Sequence, residues 1–132
     1  MNTAPDITAS HSSEKEESMR VFLALTMRQR DWMMTMSYLH LEQRKPDQAR
    51  VLLRLVYRAF PEDAEVQRCL ALAELLAGSP ATAARVATRA FKQCEAPLRV
   101  PVGLIFAKAL WQQGQEEAAR DFLAGLLNHE RH

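Results

Sequence analysis

Ala49, Ala83 and Ala119 follow one another at intervals of 34 and 36 residues. Each is preceded at a matching distance by residues that break or start a helix: Arg44-Lys45-Pro46, Gly78-Ser79-Pro80 and Gly114-Gln115-Glu116. A period of that length constrains the chain more than any other feature. Each unit is a pair of helices whose apolar faces find cover only against a neighbouring unit. The stretches between the breakers carry helical spacing, as in Trp32, Met33, Met36, Leu39 and His40, then Val51, Leu52, Leu55, Val56 and Ala59. The pattern predicts helices at about 14–44, 46–60, 64–77, 81–94, 100–113 and 115–128. No segment sustains a period of two, so the expected class is all-α.

Counting Arg30 as the first residue of a unit places small side chains at Ser37, Ala71 and Ala107 in the first helices and at Ala49, Ala83 and Ala119 in the second. Helices that cross closely need small residues at those points. This arrangement resembles the tetratricopeptide repeat. Pro61 stands where that repeat places its closing proline, and Gly78 and Gly114 hold its turn position, from which Arg44 departs. The later small position of the second helix is Val56, Ala90 and Leu126, and the position usually given to tryptophan is Met33, Gln67 and Gly103. The expected architecture is three units, at about 30–63, 64–97 and 100–129, stacked as a short solenoid within one domain at 14–132. The extra residues before the third unit, Pro97 to Pro101, are expected to lengthen a loop.

Residues 1–19 carry Asp6, Glu14, Glu16 and Glu17 against Lys15, a net −3. Residues 1–13 read as a disordered acidic and polar tail. Ser13-Glu14-Lys15-Glu16 has capping-box spacing, from which a helix is expected to run through Val21, Phe22, Leu25 and Met33. At 132 residues and a formal charge of +1, the chain suits a single domain and gives no bulk-charge case for nucleic-acid binding. No apolar run reaches a membrane span, and the polar N-terminus lacks the core of a secretory signal. Two cysteines, Cys69 and Cys94, lack CxxC spacing and are expected as free thiols in a cytoplasmic protein.

Chemistry-bearing motifs are sparse. No nucleophile elbow, P-loop or glycine-rich dinucleotide loop occurs. His129 and His132 stand at i, i+3 without an acid or cysteine at ligand spacing, and His40 falls at a packing position. The expectation is no enzyme, no metal and no cofactor.

Two surfaces remain. The first helices would line the concave side of the stack, with Met34, Tyr38 and Leu41 from unit one and Leu72, Leu75 and Leu76 from unit two. Unit three adds Leu104, Lys108 and Trp111. A groove this apolar suits a partner's helix or extended segment, unless the N-terminal helix or a second copy of the chain covers it. The second helices would form the convex side, where Arg50, Arg54 and Arg58, then Arg85, Arg89 and Lys92, recur at near-helical steps as a possible docking face for an acidic protein.

A small apolar-grooved repeat protein of this kind resembles the tetratricopeptide chaperones of bacterial type III secretion, and within them the YscY-like family. The residues that carry the resemblance are Met27-Arg28-Gln29-Arg30, Tyr38-Leu39-His40-Leu41, Ala49-Arg50-Val51-Leu52-Leu53 with Pro61, and Arg68-Cys69-Leu70. The resemblance spans about residues 26–122 and leaves out the acidic N-terminal extension. It implies a cytoplasmic bacterial chaperone that holds a small secreted partner of the YscX-like kind as a heterodimer and presents it to the cytoplasmic domain of the export gate. Chaperones of the needle subunit or of translocators share the repeat. A non-chaperone scaffold or regulator of the same fold is the other alternative.

Overall fold

The three expected turns close with one backbone device. Arg44, Gly78 and Gly114 all adopt positive φ, at 60°, 88° and 81°. At the first turn Arg44 N–H donates to the carbonyl of Leu41 at 3.1 Å and Lys45 N–H to that of His40 at 2.8 Å. Gly78 and Ser79 repeat the pair onto Leu75 and Glu74, and Gly114 and Gln115 repeat it onto Trp111 and Leu110. This is the Schellman motif, which satisfies carbonyls that a helix end leaves unpaired. Arg44 differs in residue type but not in conformation.

The computed structural model describes residues 15–16 and 26–131, with Lys15 and Glu16 helical. The helices from residue 26 onward are α1 (Met27–Glu42), α2 (Pro46–Ala59), α3 (Ala64–Leu76), α4 (Pro80–Gln93), α5 (Ala96–Gln112) and α6 (Glu116–Arg131). No strand is present among the described residues. The tail expected to be disordered at residues 1–13 lies outside them. Each helix packs on its neighbours in sequence, and α3 also meets α5, which sets the first helices of successive hairpins side by side.

Two expected boundaries are corrected. The first helix does not run unbroken from residue 14. Thr26 is extended at φ −80° and ψ 163°, its hydroxyl accepts from Gln29 N–H at 3.1 Å, and its own N–H donates to Gln29 Oε1 at 2.9 Å. That is a complete capping box, legible in Thr26-Met27-Arg28-Gln29. The loop expected at Pro97–Pro101 is also absent, because α5 begins at Ala96 and takes both prolines into its first turns. Pro97 falls where an N–H would have no partner, whereas Pro101 lies inside the helix, which continues past it without the bond to the Pro97 carbonyl.

The small positions are buried as the register requires: Ser37, Ala71 and Ala107 on the first helices and Ala49, Ala83 and Ala119 on the second. Gly103 has its own reason. A Cβ there would meet Leu126 Cδ2 at 2.6 Å, so the third hairpin has a glycine on one helix where its partner helix has a leucine. The first hairpin reverses the sizes, with Met33 opposite Val56 in the register, and both residues are buried.

The turns generate a test of opposite signs. Arg44→Gly removes a left-handed strain and should raise stability by about 0.5–1 kcal/mol once the added chain entropy is subtracted. Gly78→Ala introduces that strain with no atom within 4 Å to clash, and should lower stability by about 1 kcal/mol. Denaturant melts of the two variants check this, and equal signs would contradict a shared turn geometry.

Candidate functional site

The apolar positions expected to line a groove separate into two groups. Met34, 2% exposed, and Leu75 are buried in the core and have no surface left to offer a partner. Leu75 clusters with Ala109 and Ile105 of α5, so the following hairpin covers it. Leu41 is half-buried against the core and Leu72 is half-buried as well. Tyr38 and Leu76 remain exposed, while Leu104 and Trp111 of the last hairpin are 51% and 45% exposed. The physical reason is position in the stack. Hairpins one and two are each followed by another, and no helix follows α6 among the described residues.

Leu104 and Trp111 border one open cleft. Leu104, Ala107, Lys108 and Trp111 of α5 and Ala119 and Leu123 of α6 line a volume of about 330 Å³. Arg120 lies over the Trp111 ring at 5.6 Å, which orients the indole without burying it. Lys108 is exposed and is the one charge in the lining. Leu123 went unread in the sequence, although it lies one turn beyond the small position Ala119 and therefore on the same face.

Tyr38 has a structural role besides its exposed surface. Its hydroxyl donates to Glu65 at 3.0 Å and accepts from the Cys69 thiol at 3.2 Å, which links α1 to α3. Burial pushes the ionisation of both Tyr38 and Cys69 upward, so each stays protonated at neutral pH. Cys69 and Cys94 are free thiols. Nearby, Arg30 bonds Asp63 through Nε at 3.1 Å and Nη2 at 3.0 Å, and reaches Glu65 at 3.0 Å and Asp31 at 2.8 Å. Burial opposes the charge on Arg30, but these carboxylates outweigh it and raise its pKa.

The expected basic face is largely committed to internal bonds. Glu74 of α3 is fully buried. Arg54 of α2 grips it with Nε at 2.6 Å and Nη2 at 3.0 Å, a two-pronged ion pair that raises the arginine pKa. Arg50 approaches the same carboxylate at 3.8 Å, donates to Ser79 Oγ and pairs with Asp47. Arg89 pairs with Glu62 and donates to the Tyr57 hydroxyl at 3.1 Å. Arg58 lines a shallow outer cleft with Val51, Arg54 and Leu55, Arg85 donates to Thr82, and Lys92 is exposed. Arg50 and Arg54 therefore tie the first hairpin to the second.

Among the described residues, no group of three His, Cys, Asp or Glu side chains could hold a metal ion, and no helix is long and apolar enough to cross a membrane. The side chains of His129 and His132 lie outside the described set. No protein-family model matches the chain, and no curated protein is significantly similar to it.

The arginines yield a second test. Arg54→Glu would leave Glu74 buried beside a like charge, at a cost of about 2–3 kcal/mol or more. Arg89→Glu acts on exposed partners and should leave the melting midpoint close to the parent's. If thermal melts show the two changes to be equally mild, Glu74 does not depend on Arg54.

Proposed function

We propose that the chain is a short tetratricopeptide-like solenoid of the YscY-like kind, a chaperone of bacterial type III secretion. It holds an apolar helix of a small secreted partner and presents it to the cytoplasmic domain of the export gate. The repeat reading is supported by the three matching Schellman turns and by small residues buried at every expected crossing. The client class comes from the family resemblance.

The single observation that carries the binding role is the cleft between α5 and α6, lined by Leu104, Trp111 and Leu123, with Leu104 and Trp111 exposed. In a stacked array that seat is where the next helix would lie, so a partner helix placed there continues the packing pattern of the protein itself. Leu76 at the end of α3 is a further exposed apolar side chain on a first helix. Lys108 supplies a charge that can fix the orientation of the incoming segment. A secretion substrate kept unfolded enough to be exported needs such a temporary cover for its apolar face.

The test is co-purification of the tagged chain from its own organism, followed by mass spectrometry and affinity measurement on the recovered complex. A small secreted protein should copurify as a heterodimer. Trp111→Ala should weaken it by about 2 kcal/mol or more, roughly thirtyfold in Kd, with the far-UV circular dichroism retained. A complex indifferent to Trp111→Ala, or one made only with folded cytoplasmic proteins, would contradict the proposal.

A further inference from the structure

The hairpins can be compared position by position, and one face of α1 does not match its counterparts. The third and tenth residues of each unit lie two turns apart on one side of the first helix. In α3 they are Val66 and Ala73 and in α5 they are Val102 and Ala109, all four buried. Each of those helices has a preceding helix packed on it, α2 on α3 and α4 on α5. In α1 the same positions hold Trp32 and Leu39, which are 63% and 43% exposed. Trp32 and Met33, with Arg28 and Gln29, border an open depression of about 400 Å³. A repeat array that ended in water at α1 would have a polar outer face. A tryptophan and a leucine at these positions mark a face made to be covered.

We infer that the occupant is this chain's own segment 17–25, docked on α1 as α2 docks on α3 and α4 on α5. Three observations favour it over a second copy or a foreign partner. First, the segment holds the same place in chain order as those helices and ends directly at Thr26. The two residues between α4 and α5 show how short such a connection can be. Second, the N-cap geometry matches. Thr26, Asp63 and Glu95, which open the three first helices, are all extended, with ψ of 163°, 117° and 173°. Lys45 and Ser79, which open α2 and α4, instead have ψ of 66° and 68°. Thr26 thus shares the extended backbone of the two residues that join one hairpin to the next, and not that of the turns within a hairpin. Third, six of the nine residues in 17–25 are apolar: Met19, Val21, Phe22, Leu23, Ala24 and Leu25. Lys15 and Glu16, just ahead of them, are helical.

The cover is intramolecular, so it leaves the α5–α6 cleft as the exposed apolar end and does not depend on what binds there. The experiment uses the full chain with Trp111→Phe, which leaves Trp32 as its one tryptophan. The emission of Trp32 should be blue-shifted and poorly quenched by iodide. Adding Phe22→Asp with Leu25→Asp should shift it to the red and increase quenching severalfold. A Trp32 freely quenched in the parent, or quenching unmoved by the aspartates, overturns the assignment. Protection that disappears on dilution also overturns it, because it identifies a second copy as the cover. A photo-crosslinking phenylalanine analogue at position 22 decides independently, even if the aspartate variants fail to fold. It should join residues 27–43 within one chain, whereas a cross-link to α5 or between chains refutes the docking.

Discussion

The structure depends on the close crossing of paired helices at side chains no larger than serine or alanine. Ser37 with Ala49, Ala71 with Ala83, and Ala107 with Ala119 occupy equivalent register positions, and all six are buried. Small residues there let the backbones approach, and protein interiors leave little room for extra atoms. The rest adapts around these crossings. Where the third hairpin needs a leucine at Leu126, Gly103 makes room for it on the facing helix. The Schellman turns then fix where each first helix stops, so that the second returns along it.

Stacking sets what remains on the surface. A following hairpin covers part of the first-helix face, so Leu75 lies against α5, while no described helix follows to cover Leu104 and Trp111. Large apolar side chains stay exposed at both ends of the stack. One presents Trp32 and Leu39, and the other presents the cleft between α5 and α6. Between them, charged side chains serve as ties. Arg54 holds buried Glu74 across α2 and α3, and Arg30 gathers Asp63 and Glu65 from the start of α3. Glu74 is fully buried, and a buried carboxylate left without its partner is costly, so Arg54 is needed for the fold itself.

Much of this was legible in residue spacing. The alanine period located the crossings, and the glycines located two of three turns. The register placed Arg44 at the first turn, but its left-handed conformation was not legible, because it is uncommon for arginine and no local signal announces it. The break at Thr26 had a signal in Thr26-Met27-Arg28-Gln29, but the apolar run through Val21, Phe22, Leu25 and Met33 outweighed it. Spacing also identified the first-helix face without showing which part of it stays open. Burial of Met34 and exposure of Trp111 follow from the order of hairpins in the stack, a tertiary fact that the periodicity of one helix does not contain. The internal pairing of the arginine stripe was hidden for a related reason. Its partner Glu74 lies 20 residues away from Arg54, on the next hairpin.

The most direct measurement of the account compares Ala83→Leu with Ala81→Leu in denaturant unfolding. Both lie in α4, but Ala83 is buried at a crossing and Ala81 is exposed one turn fraction away. The close-crossing account predicts a loss of about 1–3 kcal/mol for Ala83→Leu, with Ala81→Leu near the parent. Equal stabilities for the two variants would contradict it.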